Sequence, residues 1–312
     1  RVTSRAGSPG WPEGRLRRSY PRRNCPKPAG PEVSLASVLL WLISSIVLLA
    51  AGALGLILMR RGRRLPTAAI AGAIGVATAG SAAGLVVRAA AYGTWPGVAA
   101  ADALALLALG GLMGEIWQLR RRTEAYAATL PACCLSLAMS GLLLVGAGWL
   151  ADQVPAAVPQ AASALFAARN VLAGLGLGAW IPALAGTFAW TLRGAFATPA
   201  ELLDPALPPR LHGMTGRAGD PGRAVALAGY PLLTAAWLLG GAWSILSYAT
   251  PWRAVPGELW LAAAWAFGAA YFHATSGWRP LRVARWAVLL LATAVVVSAV
   301  AAALSAASLG AT

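Results

Sequence analysis

Apolar residues gather along this chain into long runs separated by short polar segments. The runs cover 33–59, 65–91, 98–119, 127–151, 163–192, 224–247, 258–273 and 284–308. Each approaches or exceeds the roughly 20 residues that a helix needs to cross the hydrocarbon core of a bilayer. In lipid every backbone N–H and C=O must find its partner inside the segment, so such runs predict helices. The seventh run is the shortest, and its aromatic start suits the membrane interface. The expected fold is all-α: a polytopic membrane protein of about eight transmembrane helices.

Residues 1–32 lack this pattern. They are rich in Arg, Pro, Gly and Ser and are expected to form a disordered basic tail. The apolar run that follows is too long for a cleavable signal, so it counts as the first span. Residues 33–312 are expected to form one transmembrane domain.

Composition agrees with the runs. The chain has 312 residues, 58% hydrophobic and 11% charged, with mean hydropathy +0.65. Soluble domains carry about 25% charged residues. The net charge of +15 would suit a nucleic-acid partner, but its distribution excludes that reading. Eight of the 25 basic residues lie in the tail. Fourteen more sit in four clusters: Arg60, Arg61, Arg63 and Arg64; Arg120, Arg121 and Arg122; Arg193, Arg210, Arg217 and Arg223; Arg279, Arg282 and Arg285. Eight alternating spans place all fourteen on one side. Only Arg88, Arg169 and Arg253 fall on the other. The positive-inside rule makes the clustered side cytoplasmic and puts both termini outside. The basic tail runs against this orientation, which rests on the internal clusters.

Cysteine adds little. Cys25 lies in the tail, and the adjacent Cys133 and Cys134 lie in an apolar run, where they read as small packing residues. No CxxC or CxxCH occurs, so the chain has no thioredoxin-like motif and no covalent heme site.

Candidate chemistry concentrates at the outer ends of the spans. Arg88 ends span two, Asp102 opens span three, Arg169 lies early in span five, and Arg253 and Glu258 flank the start of span seven. Ionisable groups at membrane depth pair with one another or face a cavity. One reading is therefore a set of ion pairs bridging helices, such as Arg88 with Asp102. The other is a cationic pocket for an anionic ligand. Glu115, near the inner end of span three, reads as a satisfied interfacial residue. His212 lies in the long 194–223 loop and reads as a solvated side chain.

The richest stretch runs from 230 to 285. Two apolar runs flank a short aromatic segment containing Pro251 and Pro256, with Tyr248, Trp252, Trp260 and Trp265 gathered around it and His273 closing the second run. Trp and Tyr collect at membrane boundaries as belts. Flat rings in an outer loop also offer a stacking surface for a planar ligand.

This stretch resembles the cytochrome c assembly family of heme-handling membrane proteins. Gly229-Tyr230-Pro231-Leu232-Leu233-Thr234 resembles that family's helix start, and Trp243 matches a tryptophan within it. Trp252, Pro256, Glu258 and Trp260 fall on the WGxxWxWDPKExW signature. Trp265, Tyr271 and His273 match the W…YLH helix that follows, and Gly277-Trp278-Arg279 the turn after it. The stretch from Arg88 to Gly93, with Trp95, Pro96 and Asp102, resembles the family's R…GHxPxxNxYE segment. The region from Pro159 to Gly176 fits a span that opens with a histidine in the family. The chain departs from the signature at Tyr248, Ala254, Val255 and Gly257. Thr94 and Arg169 stand where the family has histidines, and 305–312 contains none.

The resemblance implies a component of cytochrome c biogenesis in the bacterial cytoplasmic membrane. It implies heme as cargo, apocytochrome c as recipient and a partner membrane protein. His273 would be the iron ligand. Tyr248, Trp252, Trp260 and Trp265 would support the ring, and Arg88, Arg169 and Arg253 would meet the propionates. Two other readings remain open: a heme-free structural or regulatory subunit of the same fold, and a small-molecule permease. The permease is the less favoured, because no broken helices in paired repeats stand out.

Overall fold

The computed structural model describes residues 31–63, 66–121, 126–151, 160–191, 221–252, 256–275 and 282–308. The basic tail before Pro31, most of the 194–223 loop with His212, and Arg253, Ala254 and Val255 lie outside these residues. Every element among the described residues is a helix. They are α1 (Pro31–Arg60), α2 (Thr67–Tyr92), α3 (Ala100–Arg121), α4 (Tyr126–Trp149), α5 (Gln160–Gly178), α6 (Trp180–Thr191), α7 (Pro221–Tyr248), α8 (Pro256–Thr275) and α9 (Arg282–Ser308).

Local chemistry explains several boundaries. Pro221 and Pro256 stand at the first positions of α7 and α8, where a missing N–H leaves nothing unsatisfied. α2 ends at Gly93, whose φ of 59° takes the left-handed conformation that closes a helix, with its N–H returned to Ala90 O. The Asp102 carboxylate accepts from the N–H of Ala99 and of Gly97, tying down the start of α3.

Seven stretches are long and apolar enough to cross a membrane, including Ala164–Ala189, which joins most of α5 to α6. The expected eighth span corresponds to α8. Its 20 residues give about 30 Å of helix, but Glu258, His273 and its aromatics dilute its apolar character. The molecule is thus a multi-pass helical membrane protein by length and composition.

The expected span over 163–192 is present as Ala164–Ala189, but it is interrupted. The helix breaks at Ala179, between α5 and α6. Pro182 is the cause: it has no N–H to donate to the carbonyl of Gly178, and its ring crowds the preceding turn.

The helices divide into an interior set and a lipid-facing set. The apolar windows of α3 and of α5–α6 are each 72% buried, against 28% for α1 and for α9. α1 exposes Leu35, Leu39, Ile43, Ile46, Leu54 and Ile57, an apolar face suited to lipid. The interior helices approach closely through glycine. Gly110 of α3 lies against Leu175 and Gly178 of α5, and Gly176 of α5 lies against Gly229 of α7. Small residues permit such backbone contact where no hydrophobic effect drives helices together. The two buried acids of α3, Asp102 and Glu115, are therefore carried by an interior helix.

Candidate functional site

Arg88 and Asp102 form a buried ion pair across the α2–α3 turn, with Nε and Oδ1 2.9 Å apart. Arg88 also donates to the carbonyl of Ala151, just beyond α4, and stacks over the Tyr92 ring. Its charge is matched and its donors are turned inward. Arg169, on α5, is paired with Glu258 of α8. Arg169 also donates to Asn170 Oδ1 at 2.6 Å, and the Asn170 amide donates to Gly97 O at 2.6 Å. A continuous polar chain results. It runs from Glu258 through Arg169, Asn170 and the Gly97 turn to Asp102, Arg88 and Ala151, and it joins five helices at one end of the bundle. Gly97 adopts φ of 89°, a conformation glycine reaches without strain. Beside this chain, a Cβ on Gly240 of α7 would lie 3.3 Å from both Arg169 Nε and Glu258 Oε2, so a larger residue there would press on the ion pair.

The aromatic residues form a second arrangement, along the seam between α7 and α8. Trp252 stacks on Trp237 at 5.2 Å, and Trp237 stacks on Trp265 at 5.2 Å. Trp265 stacks on Tyr230 at 5.9 Å, and Tyr230 meets Phe272 edge-on at 5.2 Å. Phe272 then contacts Trp180 of α6. Hydrogen bonds pin the rings. Trp252 Nε1 donates to Trp237 O, Trp265 Nε1 to Thr234 Oγ1, and the Tyr230 hydroxyl to Trp265 O. Glycines make the room: Gly241 faces the Trp252 indole, and Gly268 lies under Tyr230 and Trp180. The ladder thus runs from the last residue described after α7 to the last turn of α8.

The structure brings together some of the expected site residues and not others. Trp252 and Trp265 belong to the ladder. Tyr248 contacts Trp243 edge-on at the same end, and Trp260 lies on the second turn of α8. Tyr248, Trp252 and Trp260 keep 41–45% of their surface exposed, so ring faces remain accessible there. His273 is exposed in the last turn of α8, next to Phe272. Arg88 and Arg169 are each held by a carboxylate, and Arg169 also lies over the Phe166 ring, which contacts Trp243 and through it Tyr248. Arg253 lies outside the described residues.

Sequence reasoning missed Trp237, the central rung. A signal was present: Tyr230, Thr234, Trp237 and Gly241 recur at i, i+4, i+7 and i+11, one face of a helix. Leu261, Trp265, Gly268 and Phe272 repeat that spacing on α8. Comparison with known proteins adds no identity: no family model, no curated protein and no solved structure matches the chain.

Proposed function

We propose that the chain is a divergent heme-handling protein of the cytochrome c assembly type. The observation that carries the reading is the ring ladder, which lines the α7–α8 seam from Trp252 to Phe272, beside His273. Heme is a planar, apolar cargo with two propionates and an iron that accepts imidazole. The chain's own residues suit parts of that chemistry. His273 lies exposed in the last turn of α8, the residue after Phe272. Trp252, Tyr248 and Trp260 present ring faces at the opposite end of the seam, where a flat molecule can stack. In this reading the His273 end is cytoplasmic, both termini are outside, and cargo passes to an apocytochrome c with the help of a partner membrane protein in a bacterial cytoplasmic membrane. Arg88 and Arg169 hold the scaffold through their ion pairs and leave propionate binding to Arg253 or to the partner.

Absorbance of the protein purified after expression with ample heme tests this. A Soret band that His273→Ala removes is the expected result. A colourless protein refutes the reading.

A second reading has its own support. Both Arg88 and Arg169 are neutralised by carboxylates, and Trp237 is already stacked against two rings, Trp252 and Trp265. A heme-free structural subunit would show these same features, and it would remain colourless while still co-purifying with a membrane partner.

A further inference from the structure

A carboxylate inside a membrane is costly unless a cation or a proton accompanies it. Glu115 lies on α3 within the span Ala100–Arg120, about 8 Å along the axis from its basic end. It is only 3% exposed. Neither ion pair found among the described residues involves it. Ser136 and Cys133 of α4 lie within hydrogen-bonding reach of its carboxyl, and Cys134 is close by. Ser136 and Ser140, one turn along α4, are fully buried, and the Ser140 hydroxyl has no hydrogen-bond partner among the described residues.

These groups are in register. Gly111 and Glu115 are one turn apart on α3, as are Ser140 and Ser136 on α4. A Cβ on Gly111 would lie 2.9 Å from Ser140 Oγ and 3.0 Å from Ile181 Cδ1, so the lack of a side chain there lets α3 pack directly against the hydroxyl. The break between α5 and α6 meets the same place. Gly178 lies against Gly110 and Gly111, Ile181 packs on Gly111, and Pro182 packs on Gly114. Because Pro182 has no N–H, the Gly178 carbonyl lacks its usual helical donor at this level. An interrupted helix, a buried acid with no cationic partner among the described residues and the unpartnered Ser140 hydroxyl together are the elements from which membrane proteins build cation sites.

We propose that Glu115, Ser136 and Ser140 form an intramembrane site for one monovalent cation, Na⁺ or a proton. Glu115 supplies the single compensating charge, and the two serine oxygens and the Gly178 carbonyl supply neutral ligands or hydrogen-bond partners. Other titratable or charged groups around α3 are few. Cys133 and Cys134 lie on α4, Arg120 is exposed at the end of α3, and Arg223 opens α7 two residues before the Val225 that packs on Gly114. Arg88 and Arg169, on α2 and α5, are engaged at the opposite end with Asp102 and Glu258. The described side chains of α6 and α9 include none. The site lies apart from the α7–α8 ladder and does not depend on heme.

The test uses the full chain in detergent, with radiolabelled Na⁺ binding and carboxyl infrared spectra recorded over a pH series. A Na⁺ site shows saturable binding that Glu115→Gln abolishes and that Ser140→Ala weakens by about tenfold or more, the effect of one hydrogen-bond partner on a charge. A proton site shows no Na⁺ binding but a carboxylic-acid band that fades as pH rises, is absent in Glu115→Gln, and shifts in Ser140→Ala. Either pattern supports the proposal. Absence of both overturns it, as does a Glu115 band unchanged at every pH, or wild-type behaviour of Ser140→Ala. If Glu115→Gln does not fold, Ser140→Ala carries the comparison alone.

Discussion

At the scale of single residues, the charged groups behave as paired buried ions, and their removal is asymmetric. Arg88→Ala leaves the Asp102 carboxylate and the Ala151 carbonyl facing a gap. Breaking one side of such a pair costs about 3–5 kcal/mol, so unfolding in a denaturant series should shift by that amount. The double change Arg169→Met with Glu258→Leu removes both charges together and should be near neutral by the same measurement. Gly240→Ala should be worse than the double change. Its new methyl meets Arg169 and Glu258 at 3.3 Å, and crowding a packed site costs about 1–3 kcal/mol. The Arg88–Asp102 pair was legible in the sequence, because only a short turn separates the two ends of α2 and α3. The Arg169–Glu258 pair was not, since its members lie 89 residues apart on helices whose adjacency no local pattern reveals. Trp237 was readable in principle from helical spacing, but a tryptophan six residues later, Trp243, drew attention to a different face of α7.

At the scale of elements, the pattern of apolar runs located every helix, while the break within the fifth run escaped it. Pro182 was visible. However, prolines 131 and 231 sit inside α4 and α7 without splitting them, so proline alone does not decide. What distinguishes Pro182 is the glycine-rich contact beside it, where Gly178 meets Gly110. Pro182→Ala restores the missing N–H, and the amides of 179–182 should then exchange more slowly with deuterated solvent. Unchanged exchange there would mean that the Gly178 contact, rather than the proline, sets the break. α8 shows the converse: it is legible by length, yet its acid, histidine and aromatic content keep it outside the seven clearly apolar stretches. That mixture follows from its neighbours, because α8 provides Glu258 to α5 and half of the ladder to α7.

At the scale of the whole molecule, alternation of eight spans makes a sharp statement about sides. Single cysteines placed at Gly62, between α1 and α2, and at Trp95, between α2 and α3, in a background lacking the native cysteines, should label from opposite faces of intact cells. Under the positive-inside orientation Trp95→Cys reacts with an impermeant reagent and Gly62→Cys does not. The reverse result inverts the orientation and moves His273 to the exterior. Such large-scale features follow from length and charge, which the sequence displays directly. The ladder and the Glu115 surroundings depend on which helices become neighbours, and that emerges only in three dimensions.

The polar chain at the Trp252 end also constrains how the protein is made. Arg169 enters the membrane before its counter-ion exists: Glu258 lies 89 residues later in the chain. At about 5–20 residues per second, ribosomes need roughly 4–18 seconds to deliver it. During that interval the nascent chain holds an uncompensated guanidinium at the membrane boundary, and water or the insertion machinery must shelter it. A chain truncated between α7 and α8 never receives the acid, and it should be degraded faster in a pulse-chase than one truncated after α8.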